Sequence, residues 1–495
     1  MKTPSFILGI DQGTTSTRVC LMDCQGALAG KIAALSQKSH EQFHPQTDWV
    51  EHDVSEIWQN TRSLIEKLIT QHQCKGKIRG MGIANQGETV VLWDRRTGKP
   101  LSRAIVWQDT RTQREMEILA QDTVLSKRLT DATGLRFDAY FSASKIKWLL
   151  DHIPGARLLA TQGHVCAGTL DSWLIWQLTG GKSFVTDAST AARTLLFNIH
   201  TLTYESWILE LFEIPRSILP EVRSKNFGIC QGISALEGVP ILASLVDQPA
   251  ALYGQKCLQV GDMKATFGTG CFVYLNTGQK IAESGEGLLS TIAWQKDSVT
   301  TYALDGGIFA AGSVVSWLSD RLKIISDVTE LDSLCHSVSD TSGVVCVPAL
   351  AGLAAPYWDR ATRASWFGMG LESQRAHLVR AALEGIASRV QQITQAMQRD
   401  SGVKLRALRV DGGLSASTFL MQTQADLLGI PVEVCENPEA TLIGICTLAS
   451  EADGTKISNT PKVGKIFYPN ITELERSSRL TRFSKAVRLT QEWTK

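Results

Sequence analysis

The chain has 495 residues, 43% hydrophobic and 20% charged, with 40 glycines and a formal net charge of +1 at pH 7. That balance predicts a soluble globular protein of two large domains and argues against a bulk polyanion such as DNA as partner. No apolar run is long enough to span a bilayer, and the 11 cysteines are scattered with no Cys-x-x-Cys pair, so a cytoplasmic protein with reduced thiols and no zinc site is expected.

The first apolar run, Phe6-Ile7-Leu8-Gly9-Ile10, reads as a buried strand that delivers Asp11-Gln12-Gly13-Thr14-Thr15-Ser16 into a tight turn. Gly13 lets the backbone close around an anion, and backbone N–H groups with the hydroxyls of Thr14, Thr15 and Ser16 can donate to phosphate oxygens. Arg18 is spaced to return to the same phosphates, and Asp11 can hold Mg²⁺ directly or through water. An ordinary hairpin turn has the same composition, so both readings stand. Strands are expected over 5–10, 17–23 and 27–36, the last two joined by a turn at Asp23-Cys24-Gln25-Gly26. Asp53-Val54-Ser55-Glu56 predicts a helix start with a capping box, and Ile57, Thr61, Leu64 and Leu68 then form a packing stripe.

Asn85-Gln86-Gly87-Glu88-Thr89 interrupts two strand-like runs. Gln86 and Glu88 carry the paired donors and acceptors that polyol hydroxyls need, with a plain turn as the other reading. Trp107, Tyr140 and Phe272 suit apolar walls over the CH side of a polyol, or simply the core. The run Pro240-Ile241-Leu242-Ala243-Ser244-Leu245-Val246 ends in Asp247-Gln248. A carboxylate there can take the proton of a hydroxyl that attacks a γ-phosphate, or it can cap a following helix.

The second half repeats the plan. Strands are expected over 264–267, 271–276, 287–294 and 300–304, and Gly268-Thr269-Gly270 is a second small hydroxyl-bearing turn. A helix is expected over 375–399, with Leu378, Ala381, Ala382, Ile386, Val390, Ile393 and Met397 inward and Gly402 as its stop. A third glycine turn follows Leu408-Arg409-Val410-Asp411 at Gly412-Gly413. Three such turns suit a nucleotide held from several elements, and neither Gly-x-x-x-x-Gly-Lys-Ser/Thr nor a strand-borne Gly-x-Gly-x-x-Gly is found. Two related α/β domains facing each other across a cleft are predicted, 1–253 and 254–495, with the boundary near 253.

Nearly end to end, the sequence resembles the FGGY carbohydrate kinases, most closely their glycerol kinase branch. The resemblance is carried by residues 11–18, Trp49-Val50-Glu51-His52-Asp53, 104–108, 140–152, 171–176, 193–202, 267–272, 355–359, 364–384 and 409–413. Segments 140–152 and 364–384 match the family's signature patterns. It implies an α/β fold of two ribonuclease-H-like domains of the actin, hexokinase and Hsp70 type facing an ATP-binding cleft. The implied reaction is transfer of the γ-phosphoryl of ATP to glycerol, giving sn-glycerol 3-phosphate, with Mg²⁺. By the same resemblance Asp247 is the base, and Asp11 and Asp247 are the metal carboxylates. Glu88, Trp107, Tyr140, Gln248 and Phe272 surround glycerol. Thr14, Thr15, Ser16, Arg18, Thr269, Gly312 and Gly413 hold the nucleotide. Homo-oligomers, dimers or tetramers, are also implied.

The pattern breaks at Gly87, where the branch carries an arginine that binds substrate hydroxyls. Losing that guanidinium either weakens glycerol binding or admits another acceptor, such as erythritol, threitol, a pentitol or xylulose. Ser316 stands for Gln and Ser417 for Asn in the nucleotide site, which loosens purine contacts. Segment 226–238 lacks the glycine-and-arginine loop with which some bacterial members bind fructose 1,6-bisphosphate, so no such inhibition is expected. Segment 468–486 also diverges, so control by a phosphotransferase-system protein is not carried over.

Overall fold

The computed structural model describes residues 5–25, 29–455, 457 and 463–494. Contacts divide the chain into two units. Unit 1 is built from the chain up to Lys256, from Thr291–Tyr302 and from the segment beginning at Glu439. Unit 2 takes Cys257–Ser290, Ala303–Pro438 and the C-terminal strand and helix.

Unit 1 opens with β1 (Phe6–Gln12) and β2 (Ser16–Asp23), an antiparallel pair in which Gln12 lies opposite Thr17. Its third strand, β3 (Ile32–Ser39), starts later than the expected 27–36, of which 27 and 28 lie outside the described residues. Residues 32–36 alternate between half-buried and exposed, as on an edge strand with one face to solvent, and residues 37–39 are all exposed. The expected turn at 23–26 includes Gly26, which lies outside the described residues. Helix α1 (Val54–Gln71) buries Ile57, Thr61, Leu64 and Leu68 in the core shared with β1 and β2. Asp53 caps it by accepting from Ser55 N, but the box is only half formed: Glu56 accepts from Glu41 N and not from the cap residue. Strand β4 (Ile78–Asn85) runs parallel to β1, and β5 (Pro240–Val246) runs parallel to β4. The C-terminal ends of β1, β4 and β5 therefore carry Asp11, the 85–89 turn and Asp247 to one edge of one sheet. Helix α2 (Asp247–Gly254) crosses the helix Ala440–Ala452 at Gly254 and Gly444. A Cβ on either glycine would collide with the other helix's backbone, so this crossing fixes the helix that begins at Asp247.

Unit 2 repeats the opening. Strand β6 (Met263–Phe267) pairs antiparallel with β7 (Cys271–Gly278) and parallel with β8 (Leu408–Asp411). The strands expected over 287–294 and 300–304 form as Leu289–Lys296 and Val299–Ile308. The long helix Arg375–Ser401 buries the predicted stripe, with Leu378 half-buried at its margin, and ends at Gly402 in the left-handed region with φ +65°. Each unit is thus an antiparallel hairpin continued by parallel strands with helices packed on the sheet, the ribonuclease-H-like plan twice over.

Candidate active site

The turn after β1 is a hairpin: Gly13 N donates to Ser16 O at 3.0 Å. Thr15 stands exposed at its tip. Thr14 Oγ1 accepts from Trp107 Nε1 at 2.9 Å, and Ser16 Oγ accepts from Gln37 Nε2 at 3.0 Å. Both hydroxyls act as acceptors in these bonds, which leaves their hydrogens for a phosphate oxygen. Gln86 does not face a substrate as the sequence suggested. It is fully buried, its Nε2 donates to Gly13 O at 3.1 Å and its Oε1 accepts from Thr89. Gln86 therefore ties the 85–89 turn to the hairpin.

Glu88 is the centre of that turn. Its φ is +59°, Thr89 N donates to Gly87 O across it at 2.6 Å, and Ser142 Oγ donates to its carbonyl at 3.0 Å. A non-glycine residue held in the left-handed region beside a site is stored strain. The Glu88 side chain is 5% exposed and accepts from Arg193 Nε at 2.6 Å. Burial, with Asp247 adding repulsion, pushes the Glu88 carboxyl up to about 7, although Arg193 and Lys145 pull it down. Trp107 and Tyr140 meet edge to face at 5.7 Å, both half-buried, and the Arg193 guanidinium lies 5.5 Å from the Tyr140 ring. They line this corner and are not closed into the core.

Asp247 is the first residue of α2, with Val246 in the cap position. It is half-buried, and its Oδ1 accepts from Gln248 N at 2.7 Å. A carboxylate in the first helical turn is favoured by the helix dipole. Asp11, buried, is pushed up to about 7 by desolvation; Arg18 opposes the rise, while Asp247 and Glu439 add to it. Arg18 Nη1 lies 3.2 Å from Glu439 Oε2 and 4.0 Å from Asp11 Oδ2. Among the described residues no group of three metal-ligating side chains is assembled. Two neighbouring carboxylates, one strained by burial and like charge, fit a hard cation such as Mg²⁺, which needs only one or two of them and takes phosphate and water oxygens besides.

Unit 2 holds the remaining predicted residues. In the loop Gly268-Thr269-Gly270 the first two residues are exposed and Gly270 is buried, and the loop is pinned to the helix Gly312–Asp320: Thr269 O accepts from Ala311 N and Ser313 N, and Gly268 O accepts from Gly312 N at 2.9 Å. A Cβ on Gly312 would lie 2.5 Å from Gly268 O, so only glycine permits this approach. Ser316 is exposed on the same helix. Gly413 begins the short turn after β8 with open space where a Cβ would be. Ser417 caps the helix Thr418–Leu428 and its Oγ donates to Asp332. Phe272, half-buried on β7, packs near Gly307 and belongs to this unit rather than to that of Glu88.

Residues 6–254 match the N-terminal domain of the FGGY family of carbohydrate kinases, and residues 263–452 match its C-terminal domain. The chain belongs to the FGGY family of carbohydrate kinases. It is 44% identical to a glycerol kinase of Deinococcus radiodurans over 100% of this chain and 99% of that one. It is 44% identical to a glycerol kinase of Halorhodospira halophila over 99% and 97%. The Plasmodium falciparum glycerol kinase structure with ADP superposes with a TM-score of 0.89 at 35% identity, covering 98% of each chain. A xylulose kinase of Lactobacillus acidophilus, at 20% identity, shares the fold with a TM-score of 0.87 over 99% and 98%. As a member of this family the chain is a phosphotransferase with an alcohol group as acceptor.

Two further residues line this corner of unit 1 without a local sequence signal for their role. Arg193 lies in a segment that resembles the family, but nothing local pairs it with Glu88. Lys145, fully buried on the helix Ser142–His152, donates from Nζ to Tyr140 O at 3.0 Å and to Trp107 O at 3.3 Å. A lysine among the buried residues of a helix was the available signal.

Proposed function

We propose that this kinase phosphorylates glycerol with ATP, giving sn-glycerol 3-phosphate and ADP. The observation that carries the reading is Asp247, a half-buried carboxylate at a strand-to-helix junction whose charge is felt by both Glu88 and Asp11. Glycerol kinases as full-length relatives support it. In the reaction Asp247 takes the proton of the attacking hydroxyl, that oxygen bonds to the γ-phosphorus, and the bond from phosphorus to the β,γ-bridging oxygen breaks to release ADP. Glu88, oriented by Arg193, accepts hydrogen bonds from acceptor hydroxyls, while Trp107, Tyr140, Gln248 and Phe272 form the rest of its surroundings. Thr14, Thr15, Ser16 and Arg18 hold phosphates, and Thr269, Gly312, Ser316, Gly413 and Ser417 serve the nucleotide. Asp11 and Asp247 would hold Mg²⁺, which neutralises phosphate charge when bound.

All cysteines are free thiols among the described residues, which supports a reducing, cytoplasmic setting. Among the described residues no helix is long and apolar enough to cross a membrane. A homo-oligomer, dimer or tetramer, is part of the proposal and is read by light scattering. The deciding test is a coupled ADP-release assay with Mg-ATP and glycerol, on wild type and Asp247→Asn. Wild type turns over glycerol; the variant loses at least ~100-fold in kcat and still binds ATP. Retention of most of kcat in the variant overturns the assignment of the base.

A further inference from the structure

Gly87 carries no side chain, and the place where its Cβ would stand is already met by neighbouring side chains. A Cβ built on Gly87 meets Val246 Cγ2 at 2.9 Å and Arg193 Cγ at 3.7 Å. Val246 is 3% exposed, immediately precedes Asp247, and its amide donates to Ser189 Oγ at 3.0 Å. Ser189 is itself fixed, since its own amide donates to the Asp187 carboxylate that caps the helix Ala188–Ala191. The β-branched side chain of Val246 therefore has little freedom to withdraw.

We propose that Val246 is the residue that sets acceptor length: its γ-methyl takes the place where a side chain at 87 would begin, so the site stays matched to a three-carbon polyol despite the missing arginine. This rests on the glycerol reading above. Gly87 and Val246 act as one complementary pair, and hydroxyl recognition on this side falls to the Glu88–Arg193 ion pair. The room that Gly87 opens in sequence terms for a four-carbon alditol is closed by a methyl group from a different strand.

The test compares kcat/KM for glycerol and erythritol in wild type, Val246→Ala, Gly87→Ala and the double variant, with thermal melting of each. Wild type favours glycerol by tenfold or more. Val246→Ala raises the erythritol-to-glycerol ratio at least tenfold, within the range that one methylene of pocket fit confers. Gly87→Ala alone lowers both glycerol kcat/KM and the melting temperature, and Val246→Ala in the same chain restores most of each, a non-additive result. A purely structural valine would leave the acceptor ratio unmoved. If glycerol is turned over but Val246→Ala leaves that ratio within twofold of wild type, or Gly87→Ala is equally harmful in both backgrounds, the proposal is overturned. If wild type turns over neither polyol, the glycerol reading itself fails and the length role falls with it.

Discussion

Replacing Arg193 with Met tests the acceptor site at its electrostatic centre. Glu88 and Arg193 are buried side chains, 5% and 2% exposed, joined at 2.6 Å. Even with Arg193 present, burial lifts the Glu88 carboxyl from 4.5 to about 7. At ~1.4 kcal/mol per tenfold this costs the folded state about 3 kcal/mol above pH 7. The sign follows from linkage. Between 4.5 and about 7 the folded chain binds more protons at Glu88 than the unfolded chain, so this group's contribution to stability falls as pH rises through that window and is most favourable below it. In Arg193→Met the two lowering influences of Arg193 vanish, so the carboxyl moves further up and a larger share of it is protonated at pH 7.5. A charge-assisted hydrogen bond to an acceptor hydroxyl is worth ~1.5–3 kcal/mol, so kcat/KM for glycerol falls roughly 10- to 150-fold. ADP release is measured from pH 5.5 to 9. Wild type gains kcat/KM for the acceptor through a limb near pH 7. Arg193→Met shifts that limb alkaline, and Glu88→Gln abolishes it. Asp11 also sits at about 7; since it is proposed to serve metal and phosphate, its limb is read from kcat/KM for ATP. If Arg193→Met is folded, keeps glycerol kcat/KM within twofold at pH 7.5 and leaves the limb in place, the reasoning is refuted.

Gly312→Ala forces a Cβ to 2.5 Å from Gly268 O; overpacking of this kind costs ~1–3 kcal/mol, and KM for ATP is expected to rise with a lower melting temperature by calorimetry. Trp107→Phe removes the bond to Thr14 Oγ1, worth ~0.5–1.5 kcal/mol, so KM for ATP rises roughly two- to tenfold by initial rates while the fold is unchanged by circular dichroism. Asp332 accepts from Ser417 Oγ and from the Thr418 amide and hydroxyl; Asp332→Ala frees Ser417 and that helix start, and destabilises unit 2 by about 1–3 kcal/mol in denaturant unfolding.

The fold was legible because its signals are local. Strand-to-glycine turns at 11–16, 268–270 and 412–413, and the stripe from Leu378 to Met397, each need only a short window of sequence. The place of Asp247 at the end of an apolar strand was legible for the same reason. Where the reading slipped, a long-range partner outweighed local chemistry. Glu56 suits a capping box, yet Glu41 N claims its carboxylate. Gln86 suits a polyol, yet Gly13 O and Thr89 bind both ends of its amide. The third strand begins at Ile32 because Gly30, with φ +86°, turns the chain just before it.

The least legible feature is the one that governs specificity. Glu88 and Arg193 lie 105 positions apart in the chain, and Gly87 meets Val246 from a different strand of the same sheet. Read alone, Gly87 leaves two outcomes open, weaker glycerol binding through the missing guanidinium or room for a longer acceptor. Read with Val246 Cγ2 at 2.9 Å from where its Cβ would stand, it removes a charge without creating room. Those two outcomes select different substrates: a vacated space favours the longer acceptor, whereas lost charge in a filled space weakens every acceptor alike and keeps the short one first. Restoring arginine at 87 without first shortening Val246 is therefore expected to reduce glycerol turnover, since the new side chain would have to displace a buried methyl before its guanidinium reached any hydroxyl.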